Sequence, residues 1–202
     1  MKVLIESLIE KYEDNSYWEG SVFEPVTKMP TDYKGKFGEE LLFKFIETEI
    51  PEIPVEWDGD SNTDQGDGIY DLYWKKDNGS KKRVEVKTSG RTVSNGKPIG
   101  WQHENIYYSD KQWDDLAFLD YDCNDIMYVT VVSYDQIVKD NRIDLSLFGK
   151  NGHTRKNVVD KAKVDFSMKS IRNGIDNGVT FTYDVKNPDK KGLANFLKEK
   201  LV

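Results

Sequence analysis

The chain has 202 residues, of which 32% are charged and 12% aromatic, with a formal net charge of −7 at pH 7. That length suits one domain with a sizeable core, and the aromatic content excludes a disordered chain. The acidic balance argues against a protein that coats nucleic acid passively; a nuclease with a carboxylate-rich metal site and a local basic surface is compatible with it.

No apolar run approaches the roughly 20 residues of a membrane span. The opening Met1-Lys2-Val3-Leu4-Ile5-Glu6 breaks its apolar stretch with charge too early for a secretion signal, so a cytoplasmic protein is expected. The single cysteine, Cys123, has no internal disulfide partner and reads as a buried or incidental thiol.

In chain order, Val3, Leu4, Ile5, Leu8, Ile9 and Tyr12 predict a helix over 2–12, and residues 13–35, with Pro25 and Pro30, read as a connecting segment. A second helix is predicted from about Gly35 to Glu49, ending before Pro51. Residues 51–68 read as a long loop. Strands follow at Ile69–Lys75 and Arg83–Ser89, joined through Asn78-Gly79, a strong hairpin signal. Residues 90–100 read as a loop, and Trp101–Trp113 as a short helix or a strand with a loop. Leu116–Leu119 and Ile126–Val132 predict two strands, the second buried on both faces. Residues 141–185 read as irregular and basic with a strand at Val179–Val185, and 189–201 as a closing helix. The fold class expected is α/β: a single domain over 1–202, with a mixed central sheet flanked by helices.

Chemistry enters at Gly66-Asp67-Gly68-Ile69-Tyr70-Asp71-Leu72-Tyr73-Trp74, where Asp71 sits in an apolar, aromatic strand. An unpaired buried charge there is costly, so Asp71 needs a partner. Arg83-Val84-Glu85-Val86-Lys87-Thr88-Ser89 supplies one: at period two, Glu85 and Lys87 share a face opposite Val84 and Val86. Carboxylates converging across a hairpin can hold Mg²⁺, which takes one or two protein carboxylates beside water and phosphate oxygens. An adjacent lysine can orient a water and stabilise charge at phosphorus. Register decides the matter. A two-residue Asn78-Gly79 turn sets Asp71 against Val86, whereas a three- or five-residue turn or a bulge sets it against Glu85 or Lys87. On the second helix, 100° per residue puts Glu39 inside the apolar arc beside Leu42 and Ile46, and Glu40 on the polar side.

Asp71, Glu85-Val86-Lys87 and a preceding helix with Gly38-Glu39-Glu40 resemble the PD-(D/E)xK nuclease superfamily, and Gly66-Asp67-Gly68-Ile69-Tyr70-Asp71 resembles the approach to the catalytic aspartate in Mrr-like restriction proteins. The resemblance covers residues 35–89, with a weaker echo to about 132, which marks 35–132 as the catalytic core. Tyr70 stands where the motif's proline would be. The resemblance implies a restriction-endonuclease-like core, with Asp71 and Glu85 as ligands of Mg²⁺ (Mn²⁺ substituting), Lys87 as the catalytic lysine and Glu39 as the helix carboxylate and further ligand. It also implies a Mg²⁺-dependent endonuclease acting on double-stranded DNA, first as a homodimeric type II restriction enzyme. A Holliday-junction resolvase, or a non-catalytic DNA-binding module of the same fold, is the alternative.

Three other signals complete the reading. Asp58-Gly59-Asp60-Ser61-Asn62-Thr63-Asp64 begins like a calcium loop but has Thr63 and Ile69 where the loop needs Gly and Glu. Gln102 and His103 are candidates for water or phosphate contact. Between Phe148 and Arg172, seven basic residues face two acidic ones, a local excess of +5. Lys150, His153, Arg155 and Lys156 there are the candidate DNA-contact residues, within a contact region over 141–185.

Overall fold

Leu116-Ala117-Phe118-Leu119 has no polar alternation, so a strand built from it must be covered on both faces. The computed structural model, which describes residues 17–58, 70–94, 97–149 and 161–202 and the backbone of 153–158, meets that demand with three layers. The helices are α1 (Glu24–Thr27), α2 (Thr31–Glu49), α3 (Tyr134–Ile137), α4 (Met168–Asp176) and α5 (Lys190–Leu201). The strands are β1 (Glu56–Trp57), β2 (Leu72–Lys75), β3 (Lys81–Gly90), β4 (Thr92–Ser94), β5 (Lys97–Tyr107), β6 (Asp115–Tyr121), β7 (Ile126–Ser133), β8 (Val138–Lys139), β9 (Arg142–Ile143), β10 (His153–Val158), β11 (Lys161–Phe166) and β12 (Thr180–Asp184).

A six-stranded sheet in the order β1-β2-β3-β6-β7-β12 forms the middle layer. It is mixed: β3 and β6 run parallel, and the other neighbours are antiparallel. Alternation along β6 sorts its side chains. Ala117, Leu119 and Tyr121 join a core with Leu42 and Ile46 of α2 and Leu193 and Leu197 of α5. Leu116 and Phe118 join a second core with Trp101 of β5, Val164 and Phe166 of β11, and Ile171 of α4. The second layer of strands, β10-β11-β5-β4, covers that face. The molecule is thus one mixed α/β domain with α2 and α5 on one face of the main sheet and a smaller antiparallel sheet with α4 on the other. Among the described residues no helix is long and apolar enough to cross a membrane.

Several expectations need correction. The second helix starts at Thr31, immediately after Pro30, whose backbone (φ −54°, ψ 151°) ends the extended approach. Residues 90–100 are largely the β4–β5 hairpin, and 101–107 continue β5. Pro98 is tolerated because it lies on the outer stretch paired only with β4. Where described, the segment 141–185 is largely regular secondary structure: β10 pairs antiparallel with β11, followed by α4 and β12. The helix predicted over 2–12 and the calcium-like loop from Gly59 to Ile69 lie outside the described residues.

Candidate active site

The β2–β3 hairpin turns through Lys76–Ser80. Lys76 N–H donates to the Ser80 carbonyl at 2.9 Å, and Gly79 N–H to that of Lys76 at 2.8 Å. Gly79 has φ +80°, a conformation glycine adopts without a Cβ penalty. This five-residue turn pairs Lys75 with Lys81 and Leu72 with Val84. One step further along, Asp71 comes opposite Glu85, and its N–H donates to the Val84 carbonyl at 3.0 Å. The Asp71 side chain then turns inward, where Oδ2 accepts the Val86 N–H at 2.6 Å.

The two faces of β3 diverge sharply in character. Val84 and Val86 join the helix-side core. Glu85, buried at 8% exposure, is on the other side with its Oε1 ion-paired to Lys87 Nζ. Helix α2 reaches this end of β3 because Gly38 has no side chain. A Cβ there would stand 1.7 Å from Thr88 Oγ1 and 2.7 Å from Thr88 Cβ, so only glycine permits the approach. Glu39, the next residue, is carried to the edge of the site, where its Oε2 accepts the Trp57 Nε1–H at 3.3 Å.

The electrostatics follow from this crowding. Burial raises the Asp71 carboxyl well above its ordinary range, and the neighbouring Glu85 and Glu39 carboxylates add to the effect against Lys87 and the Val86 N–H. Burial also raises Glu85, against the opposing pull of Lys87. Glu39 is raised by burial in the same way, against Trp57 and Lys87. For Lys87, burial alone would lower the ammonium, but Glu85, Asp71 and Glu39 together outweigh it and the group is raised. Three carboxyls therefore share one ammonium in a partly dehydrated space, and each is less acidic than it would be in water. A hard divalent cation is the partner this charge imbalance fits. Among the described residues no three His, Cys, Asp or Glu side chains form a preformed cage. The donor pair to consider is Asp71 with Glu85, each with a second carboxylate oxygen beside the one already engaged.

Beside the four residues runs a cleft of about 570 Å³ between the first half of α2, the end of β3 and β5. Lys87, Glu39 and Gln102 line it, and the Gln102 backbone N–H is held by Ser89 Oγ at 3.3 Å. Gln102 is half-buried and borders the site as expected. His103 is a correction: it is 2% exposed, with Nε2 2.9 Å from Asp120 Oδ1 and its ring against Phe118. Alternation along β5 turns it into the core, which rules out an imidazole presented to phosphate.

Lys150 and the side chains of His153, Arg155 and Lys156 lie outside the described residues. The backbone of 153–158 is strand β10 rather than a flexible loop. Two other cations of the basic segment are engaged locally, Lys163 with Glu104 and Lys161 over the Tyr107 ring at 4.6 Å.

Sequence reading missed Ser89 and Arg91, although both continue the period-two series from Glu85 and Lys87 into the cleft. It also missed Trp57, whose contact with Glu39 spans eighteen residues and a loop. No family model, curated protein or solved structure matches the chain, so what the site does is argued from its own residues.

Proposed function

We propose that the chain is a Mg²⁺-dependent deoxyribonuclease with a PD-(D/E)xK-like site. The observation that carries this reading is the meeting of Asp71, Glu85 and Lys87 on one side of a hairpin, with Glu39 brought in by α2. The mixed sheet, with β2 and β3 antiparallel and β3 and β6 parallel, supports a restriction-endonuclease-like core.

In this reading Asp71 and Glu85 hold the cation and Glu39 completes the acidic rim. When bound, Mg²⁺ supplies Lewis-acid stabilisation of the charge that develops on the phosphate and the leaving oxygen. Lys87, kept protonated by its carboxylate neighbours, donates to the attacking water and to a phosphate oxygen, holding both in line. Asp71 is fixed by the Val86 N–H, so it meets the cation without a reorganisation cost at the moment of reaction. A restriction endonuclease is the first reading, acting in the cytoplasm as a homodimer because cutting both strands needs two such sites. The second is a structure-specific nuclease such as a junction resolvase.

The test is incubation of plasmid and of four-way-junction DNA with the protein in Mg²⁺, beside Lys87→Ala. Discrete plasmid fragments identify the restriction activity, and paired nicks in the junction identify a resolvase. Absence of Mg²⁺-dependent cleavage of either leaves a non-catalytic DNA-binding module.

A further inference from the structure

Arg91 has no role in the four-residue site, yet its setting is unusual for an arginine. It follows directly after β3, its backbone N–H bonded to the Tyr121 carbonyl at 3.0 Å, and its side chain lines the cleft. The guanidinium lies over the Trp101 ring, 5.0 Å from its centroid. Nη1 donates to Tyr17 Oη at 3.5 Å and is ion-paired with the buried Asp122 Oδ2 at 3.7 Å, both at the long end of such contacts. Nε is shut off from solvent and hydrogen-bonds to nothing among the described residues. The other oxygen of Asp122, Oδ1, accepts the Asn124 N–H at 2.8 Å.

A guanidinium has five donors in a rigid fork; here Nη1 makes two long contacts, and Nε is buried without a partner among the described residues. An arginine packed over Trp101 at the wall of a cleft, with donor capacity left over, is suited to a planar or tetrahedral anion. Lys34 of α2 lines the opposite side of the same cleft, and the Thr31 and Thr92 hydroxyls add neutral donors. At about 3.3 Å per residue, Arg91 lies roughly 13 Å along the chain from Lys87. That spacing lets the two side chains hold different phosphates of one strand.

We infer that Arg91, with Lys34 across the cleft, forms a second phosphate subsite that grips the backbone of the cleaved strand away from the phosphodiester held at Lys87. The inference rests on the nuclease reading for the identity of the ligand and deepens it. The protein would require a strand extending beyond the scissile phosphate on the Arg91 side, and the ligand is a polynucleotide rather than a nucleotide. Arg91 is a binding residue and takes no part in proton transfer.

The test is fluorescence anisotropy of a labelled 12-nucleotide single strand and the corresponding duplex. Each is titrated with wild-type protein, Arg91→Gln, Arg91→Lys and Lys34→Ala, alongside thermal melting of every variant. Arg91→Gln is expected to raise Kd about tenfold or more at low salt and to flatten the salt dependence by roughly the 0.7–0.9 log units per decade of one lost phosphate contact. Arg91→Lys keeps the charge but loses the fork, and should recover part of the affinity; Lys34→Ala should show a smaller loss of the same kind. A Kd within twofold of wild type for Arg91→Gln on both probes overturns the subsite. So does an equal loss in Arg91→Lys and Arg91→Gln accompanied by equal drops in Tm, which marks a purely structural stack on Trp101. Cleavage is scored separately. Arg91-dependent binding without Mg²⁺-dependent cutting removes the nuclease reading and keeps the subsite, whereas cutting with Arg91-independent binding does the reverse.

Discussion

Two groups of buried charge lie on the same sheet and differ in balance. Where β3 meets β6, Lys82 Nζ is 2.5 Å from Asp115 Oδ2, and both side chains are shielded from water. Burial raises the Asp115 carboxyl, and its ion pair with Lys82 opposes that rise. His103 Nε2 and Asp120 Oδ1, both buried, form a second close contact between the two sheets at 2.9 Å. At the β2–β3 end, three carboxyls share Lys87. A matched pair satisfies itself and serves packing. An unmatched group stays in place only because the rest of the fold is stable enough to hold it there, and that excess of carboxyls is what the proposed function assigns to a cation. The rest of β3 carries that burden: Val84 and Val86, on the opposite face of the same strand, are wholly occupied by the helix-side core.

The contrast breaks most decisively at Lys87. Lys87→Ala should lower DNA cleavage by about 10²–10³-fold, the range for loss of one charge-stabilising donor. Turnover under saturating Mg²⁺ measures this, and near-wild-type activity would remove Lys87 from the chemistry. Lys82→Ala should do the opposite, costing about 3–5 kcal/mol by stranding Asp115 while leaving cleavage at low temperature intact. The double variant Lys82→Met with Asp115→Leu should recover most of that loss, because a balanced pair has an apolar substitute. Denaturant unfolding of the three proteins decides it.

Gly38→Ala falls next. Its new methyl meets Thr88 and should cost about 1–3 kcal/mol, with a loss of activity as α2 lifts Glu39 away. Adding Thr88→Ala should restore part of both. The smallest effect is at Asp71. Its carboxyl is raised from the ordinary 3.8, so its contribution to stability is present in full below that value and lost as pH rises through the higher folded value. At pH 7 without metal, Asp71→Asn should therefore raise Tm by about 2–4 °C for each kcal/mol relieved, and the gain should fade toward pH 4. A Tm gain that does not change with pH would show that Asp71 is not the strained group.

How much of this was legible varies by segment. The hairpin register was posed correctly as a question of turn length, because Asn78-Gly79 marks a turn without fixing whether two or five residues span it. The β4–β5 hairpin was not legible. Gly, Ser and Pro over 90–100 favour loop locally; 97–100 are strand because they pair with β4 and run on into 101–107, whose partner β11 lies more than fifty positions away. His103 differs from its reading because its polarity suggests a surface role, and only the packing of the second sheet on the main one, against Phe118 and Asp120, buries it.

The sequence by itself determined the alternation of β3, the apolar run of β6, the helix that ends before Pro51 and the pairing of chemical types in Asp71, Glu85 and Lys87. These follow from side-chain periodicity and local backbone preference, which act over a few residues. Tertiary structure alone decided that Gly38 clears Thr88 so that Glu39 reaches the site, that Trp101 lies under Arg91, and that the carboxyls outnumber their cation. Each of these depends on contacts between segments distant in the chain, and burial, which sets both packing and charge, exists only once those segments have met.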